Sequence, residues 1–143
     1  MPGDLTAYRT ALAANLAPLI TDTPQLLISA YVVANPDPPV IWVRPSPDIL
    51  IEYHQAMRDG AEFWHLMIQA YAGAYADVEA QQILDSWISP TAPQSVKAAV
   101  EGDRTLGGSC QDLHVLECRN YSEFLRADGS TLIGAEWAVD VLA

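Results

Sequence analysis

Cys110 and His114 lie close enough in the sequence to raise a first chemical question, thiol-based acyl transfer. That chemistry needs a thiolate, generated by a neighbouring cation or general base, and nothing around Cys110 marks it as activated. Glu52, His54 and His65 raise a second, metal binding. A metal site needs three or four converging ligands, and neither His-x3-His nor Cys-x-x-Cys spacing occurs to supply them. Cys110, Asp112, His114 and Cys118 share parity on an expected strand, but one extended strand spreads its ligands rather than converging them. Leu106-Gly107-Gly108 is not followed by the Lys-Ser/Thr of a phosphate-binding loop and reads as a turn. No Gly-x-Ser-x-Gly elbow is present. The residues therefore predict a non-enzymatic chain with no catalytic residue, cofactor or metal.

The elements that would position these side chains follow from periodicity. Leu5, Tyr8, Leu12, Leu16 and Leu19 recur at helical spacing behind a capping Asp4, which predicts a helix over residues 4–19 that ends near Pro18. Residues 26–33 and 40–43 are rich in β-branched and aromatic types, and the proline-rich residues 35–39 between them predict two strands joined by a stiff turn. Asp59-Gly60 predicts a two-residue hairpin that sets Ile51 opposite Ile68, Tyr53 opposite Leu66 and Gln55 opposite Trp64, with Glu52, His54 and His65 on the other face. Asp128-Gly129 predicts a second, pairing Phe124 with Ile133, Asn120 with Trp137, Cys118 with Val139 and Leu116 with Val141. Its outer face would set Glu117 against Asp140, a like-charge pair.

Between the hairpins, Asp77 can cap a helix burying Val78, Leu84, Trp87 and Ile88 and stopped by Ser89-Pro90; a shorter one over residues 95–101 is closed by Gly102. In the last strand Ile133, Ala135, Trp137, Val139 and Val141 alternate with Gly134, Glu136 and Asp140, which predicts one core face and one open face. The expected architecture is an α+β fold, an antiparallel β-sheet with two hairpins flanked by two to three α-helices, in a single domain over residues 1–143.

With 143 residues, a domain buries roughly 68–70% of its unfolded surface, enough for an ordinary core. Half the residues are hydrophobic and 17% are charged, which is not a disordered composition. Seven basic and 18 acidic residues give a net charge of −11, which repels nucleic acid and anionic membrane. Trp42, Trp64, Trp87 and Trp137 read as core and subunit contacts, because a base-stacking groove would need interleaved Lys and Arg. The start lacks a signal-peptide pattern and no apolar run reaches the ~20 residues that span a bilayer, so a soluble protein with reduced thiols is expected.

Several short motifs, in this order, carry a resemblance: Asp59-Gly60-Ala61-Glu62-Phe63 opening a strand, a helix beginning at Asp77, Ser95-Val96-Lys97-Ala98-Ala99-Val100, Asp103-Arg104-Thr105-Leu106-Gly107-Gly108, Asp112-Leu113-His114-Val115 and Leu132-Ile133-Gly134-Ala135-Glu136-Trp137. The chain resembles the tail terminator and neck (head-tail connector) proteins of long-tailed bacteriophages that infect actinobacteria. The resemblance implies a structural virion protein that assembles in the host cytoplasm and resides in the tail or neck. Such a protein forms a ring, usually hexameric, caps the major tail tube protein and offers a joining face to the head-completion or stopper protein. DNA would pass through the lumen without specific binding, and no membrane is involved. The alternatives are a head-tail adaptor or stopper of the same neck, or a non-viral small binding module. Candidate partner contacts are Pro36, Asp37 and Pro38 in the stiff loop, Arg58 and Asp59 at one hairpin tip, and Arg126 and Asp128 at the other.

Overall fold

The computed structural model describes residues 4–21, 23–34, 37–53, 62–91 and 93–143. Within them the order is α1 (Leu5–Leu16), a 3-10 turn (Ala17–Thr21), β1 (Leu27–Ser29), β2 (Val40–Pro45), β3 (Ile51–Glu52), β4 (Phe63–Ala74), α2 (Val78–Ile88), α3 (Val96–Val100), β5 (Asp112–Leu125) and β6 (Thr131–Leu142). The fold is α+β: a six-stranded sheet in the order β1-β2-β4-β6-β5, with β3 also paired to β4, and three helices among the described residues.

The helices begin where their caps place them. The Asp4 carboxylate accepts from the Ala7 N–H at 2.9 Å, Asp77 from Glu79 at 3.0 Å and the Ser95 hydroxyl from Ala98 at 3.0 Å. Helix α1 gives way to the 3-10 turn one residue before Pro18, earlier than expected, yet Leu19 is still fully buried. In α2, Ala80, Leu84 and Trp87 are buried while Val78 is exposed. The expectation for Val78 fails because, at about 100° per residue, it sits roughly 120° round the helix from Leu84.

All three helices lie on one face of the sheet. Tyr8, Leu12, Leu16, Leu84, Trp87, Val96 and Val100 pack there on Ile41, Val43, Leu66, Ile68, Leu113, Val115 and the alternating set Ile133, Ala135, Trp137, Val139 and Val141 of β6. That β6 set is the one expected.

Pairing departs from expectation in three places. First, β1 runs parallel to β2, with Leu27 opposite Val40, so the sheet is not wholly antiparallel. The strand is also much shorter than residues 26–33. Second, Ile51 lies opposite Trp64 and Glu52 opposite Phe63, while Ile68 lies opposite Val43 and Trp137. β2 already occupies that side of β4 from Leu66 to Tyr71, which leaves β3 only the first residues of β4. The Asp59-Gly60 turn, His54 and Gln55 lie outside the described residues.

Third, the β5–β6 turn has three residues rather than two. Arg126 N–H donates to Ser130 O at 2.8 Å, Gly129 N–H donates to Arg126 O at 3.0 Å, and Gly129 has φ +90°. That is a three-residue loop closed by a left-handed residue, which glycine adopts without strain. Phe124 therefore meets Leu132, and bulges between Val115 and Glu117 and between Arg119 and Ser122 shift the register further. Cys118 ends opposite Trp137, Glu117 opposite Ala138, and Leu116 is exposed. The feared Glu117–Asp140 pair does not form; Asp140 lies between His65 and His114.

Candidate functional site

The face of the sheet away from the helices carries the most distinctive chemistry. At one end Val40, Trp42, Tyr71 and Leu132 form a small second core, joined by Val33 and Phe124. The Tyr71 ring is 5.1 Å from Trp42 and 4.7 Å, edge on, from Phe124. It lies over Gly134, where an added Cβ would stand 2.5 Å from the ring. A groove of about 520 Å³ opens between this cluster and the β5–β6 tip, lined by Trp42, Phe124, Leu125, Arg126 and Asp128 among others.

A polar ladder crosses the middle of the same face. Trp42 Nε1 donates to Gln69 Oε1 at 2.8 Å, Gln69 Nε2 to Glu136 Oε1 at 2.7 Å and Asn120 Nδ2 to Glu136 Oε2 at 3.1 Å. These bonds satisfy the buried Gln69 amide, which would otherwise cost about 1–3 kcal/mol. Asn120 reaches Glu136 because the second bulge holds it at φ 58°, a conformation Asn tolerates. At the other end His65 stands between Asp140, at 2.6 Å, and Glu52, at 2.9 Å.

The candidate contact residues fall in different states. Asp37 and Pro38 precede β2 at the end of the sheet that also carries the β5–β6 tip, since Val40 pairs with Tyr71 and Tyr71 with Gly134. Arg126 faces the groove. Asp128 is committed to its own turn: Oδ1 accepts from the Ser130 hydroxyl at 2.6 Å and the Ser130 N–H at 2.9 Å, and these bonds hold its pKa below the usual carboxylate range. Pro36, Arg58 and Asp59 lie outside the described residues. Exposed apolar side chains that sequence reasoning did not single out flank the two outer strands: Leu27, Tyr31 and Val32 beside β1, and Leu116, Tyr121 and Leu125 on β5. Parity on an unbulged β5 would have turned Leu116 inward, which is why it was missed.

Cys110 and Cys118 are both free thiols. Cys110 precedes β5, with its Sγ 3.5 Å from Arg104 O, and the first bulge places Cys118 on the helix side, so Cys110, Asp112, His114 and Cys118 do not converge. Burial pushes the Cys118 thiol up to about 11; burial, followed by the charges of Asp112 and Asp103, raises Cys110. Both should react with iodoacetamide at mildly alkaline pH roughly tenfold or more slowly than an exposed thiol. Labelling of Cys110 at the free-thiol rate, followed by mass spectrometry, would instead reopen the nucleophile reading. Among the described residues no group of three or more His, Cys, Asp and Glu is placed to hold a metal ion, and no helix is long and apolar enough to cross a membrane.

No protein-family model matches the sequence, and no curated protein matches it either.

Proposed function

We propose that this chain is a structural subunit of a bacteriophage neck, a tail terminator that closes head to tail into a ring, ends tail-tube polymerisation and presents a joining face to the head-side connector. The reading rests on the motif resemblance described above, and one structural observation supports it. The sheet has two different outer strands, β1 and β5, on opposite sides, and each is flanked by exposed apolar side chains. A ring of identical subunits needs two distinct, complementary patches per copy, whereas a two-fold dimer needs only one.

The contact we propose runs through side chains rather than through an added strand. The two bulges of β5 interrupt its outer row of hydrogen-bonding groups, a feature that discourages edge-to-edge pairing. Leu116, Tyr121 and Leu125 of one copy would then pack near Leu27, Tyr31 and Val32 of the next. A net charge of −11 suits a lumen through which DNA slides, since an acidic lining offers no phosphate neutralisation.

Separate Leu116→Asp and Leu27→Asp variants test the arrangement. Each should weaken assembly by on the order of tenfold, read by sedimentation velocity, with the melting temperature unchanged because both residues are exposed. Rings that form normally in both variants would remove these patches from the interface.

A further inference from the structure

Residues 46–50 leave the sheet after β2 and return as β3, and His65 of β4 fastens both ends of this excursion. Its carbonyl accepts from the Ser46 N–H at 3.0 Å, and its own N–H donates to Leu50 O at 2.7 Å. The side chain adds two further ties, Nε2 to Glu52 Oε2 at 2.9 Å and Nδ1 to Asp140 Oδ1 at 2.6 Å. A neutral imidazole carries one N–H and can donate to only one of these carboxylates. An imidazolium donates to both and balances part of their charge.

We propose that His65 is a proton-operated clasp: protonated, it ties β3 to β6 across β4, and on losing its proton it lets go of Glu52 and loosens residues 46–53. Glu52 is the partner released. Its side chain is 55% exposed and can turn to water, whereas that of Asp140 is 26% exposed and makes the shorter bond. The clasp is independent of the proposed ring, since every group in it belongs to one chain.

The surroundings favour the charged ring. Glu52 faces it from β3, Asp140 from β6 and Asp48 from the 46–50 connection; Glu117 and Arg119 of β5 line the same hollow. His114 of β5 lies opposite Asp140 in the strand register, with its ring Nδ1 3.4 Å from Glu101 Oε2, and Arg44 of β2 sits beyond, opposite Met67. Burial alone would lower the His65 pKa, but the hydrogen bonds and charges of Glu52 and Asp140 together outweigh it, and the net shift is upward from 6.5. A raised folded-state value means that the stabilisation is fully present below about pH 6.5 and is lost as pH rises through the folded pKa.

Amide hydrogen exchange, corrected for the intrinsic effect of pH, combined with NMR titration of the histidine rings tests the clasp. Between about pH 5.5 and pH 8.5, protection of the His65 amide should fall by on the order of tenfold in the unaltered protein, with the ring titrating above 6.5. His65→Gln should make that protection independent of pH. Glu52→Gln, a change at an exposed carboxylate, should do the same and serves if His65→Gln does not fold. A ring that titrates at or below 6.5, or a pH-dependent loss of protection that persists in either variant, would overturn the proposal.

Discussion

Replacing Trp137 with alanine lowers the unfolding free energy by about 3–5 kcal/mol, the range for deleting a large buried aromatic side chain. Trp137 is 2% exposed, on β6, between Ile68 of β4 and Cys118 of β5, and its ring belongs to the core that the helices cover. Because β6 is bonded on both sides, its backbone cannot collapse into the space left, and the cavity term adds to the lost burial. A loss of this size is a large share of the roughly 5–15 kcal/mol that holds a typical domain folded. Urea unfolding followed by far-ultraviolet circular dichroism reads it directly. A change below about 1 kcal/mol would mean that the side chain is not in the core.

The second large effect arises from the smallest possible change. Gly134→Ala places a Cβ 2.4 Å from the Ala70 carbonyl oxygen and 2.5 Å from the Tyr71 ring. Neither neighbour yields easily: Ala70 is backbone of the adjacent strand, and Tyr71 is held between Trp42 and Phe124. Relief requires a strand shift or break-up of the aromatic cluster, and the expected cost is about 3 kcal/mol, the upper end for overpacking. The near-ultraviolet dichroism of Trp42 and Tyr71 should change in the same variant. An alanine tolerated within about 0.5 kcal/mol, with that signal intact, would show that the Tyr71 ring does not lie over Gly134.

Those two residues also mark what the chain discloses on reading. The alternation from Ile133 to Val141 is visible because a central strand with one covered face leaves a period-two pattern, and the caps Asp4, Asp77 and Ser95 are visible because their chemistry is local. The bulges of β5 are not visible: Asn120 at positive φ is one of many tolerated conformations, and each bulge reverses which side chains face inward. Ala127-Asp128-Gly129 is compatible with a two-residue or a three-residue turn, and the choice moves every pair beyond it by one. The parallel pairing of β1 and the second core of Trp42, Tyr71 and Leu132 depend on contacts far apart in sequence. At the candidate site, the loop and tip positions of Asp37, Pro38 and Arg126 followed from turn chemistry. His65 was legible as an outward-facing polar residue, but the expected register set His54 across from it on the β3 side, where the structure sets Leu50, and it did not disclose Asp140 on the β6 side.

Native mass spectrometry of the purified chain, titrated up to millimolar concentration, tests the central proposal most directly. Head-to-tail closure predicts a single closed species, expected at six times the 15.6 kDa chain mass, with no ladder of open intermediates. A chain that remains monomeric throughout that range, or that stops at a two-fold dimer, would contradict the ring.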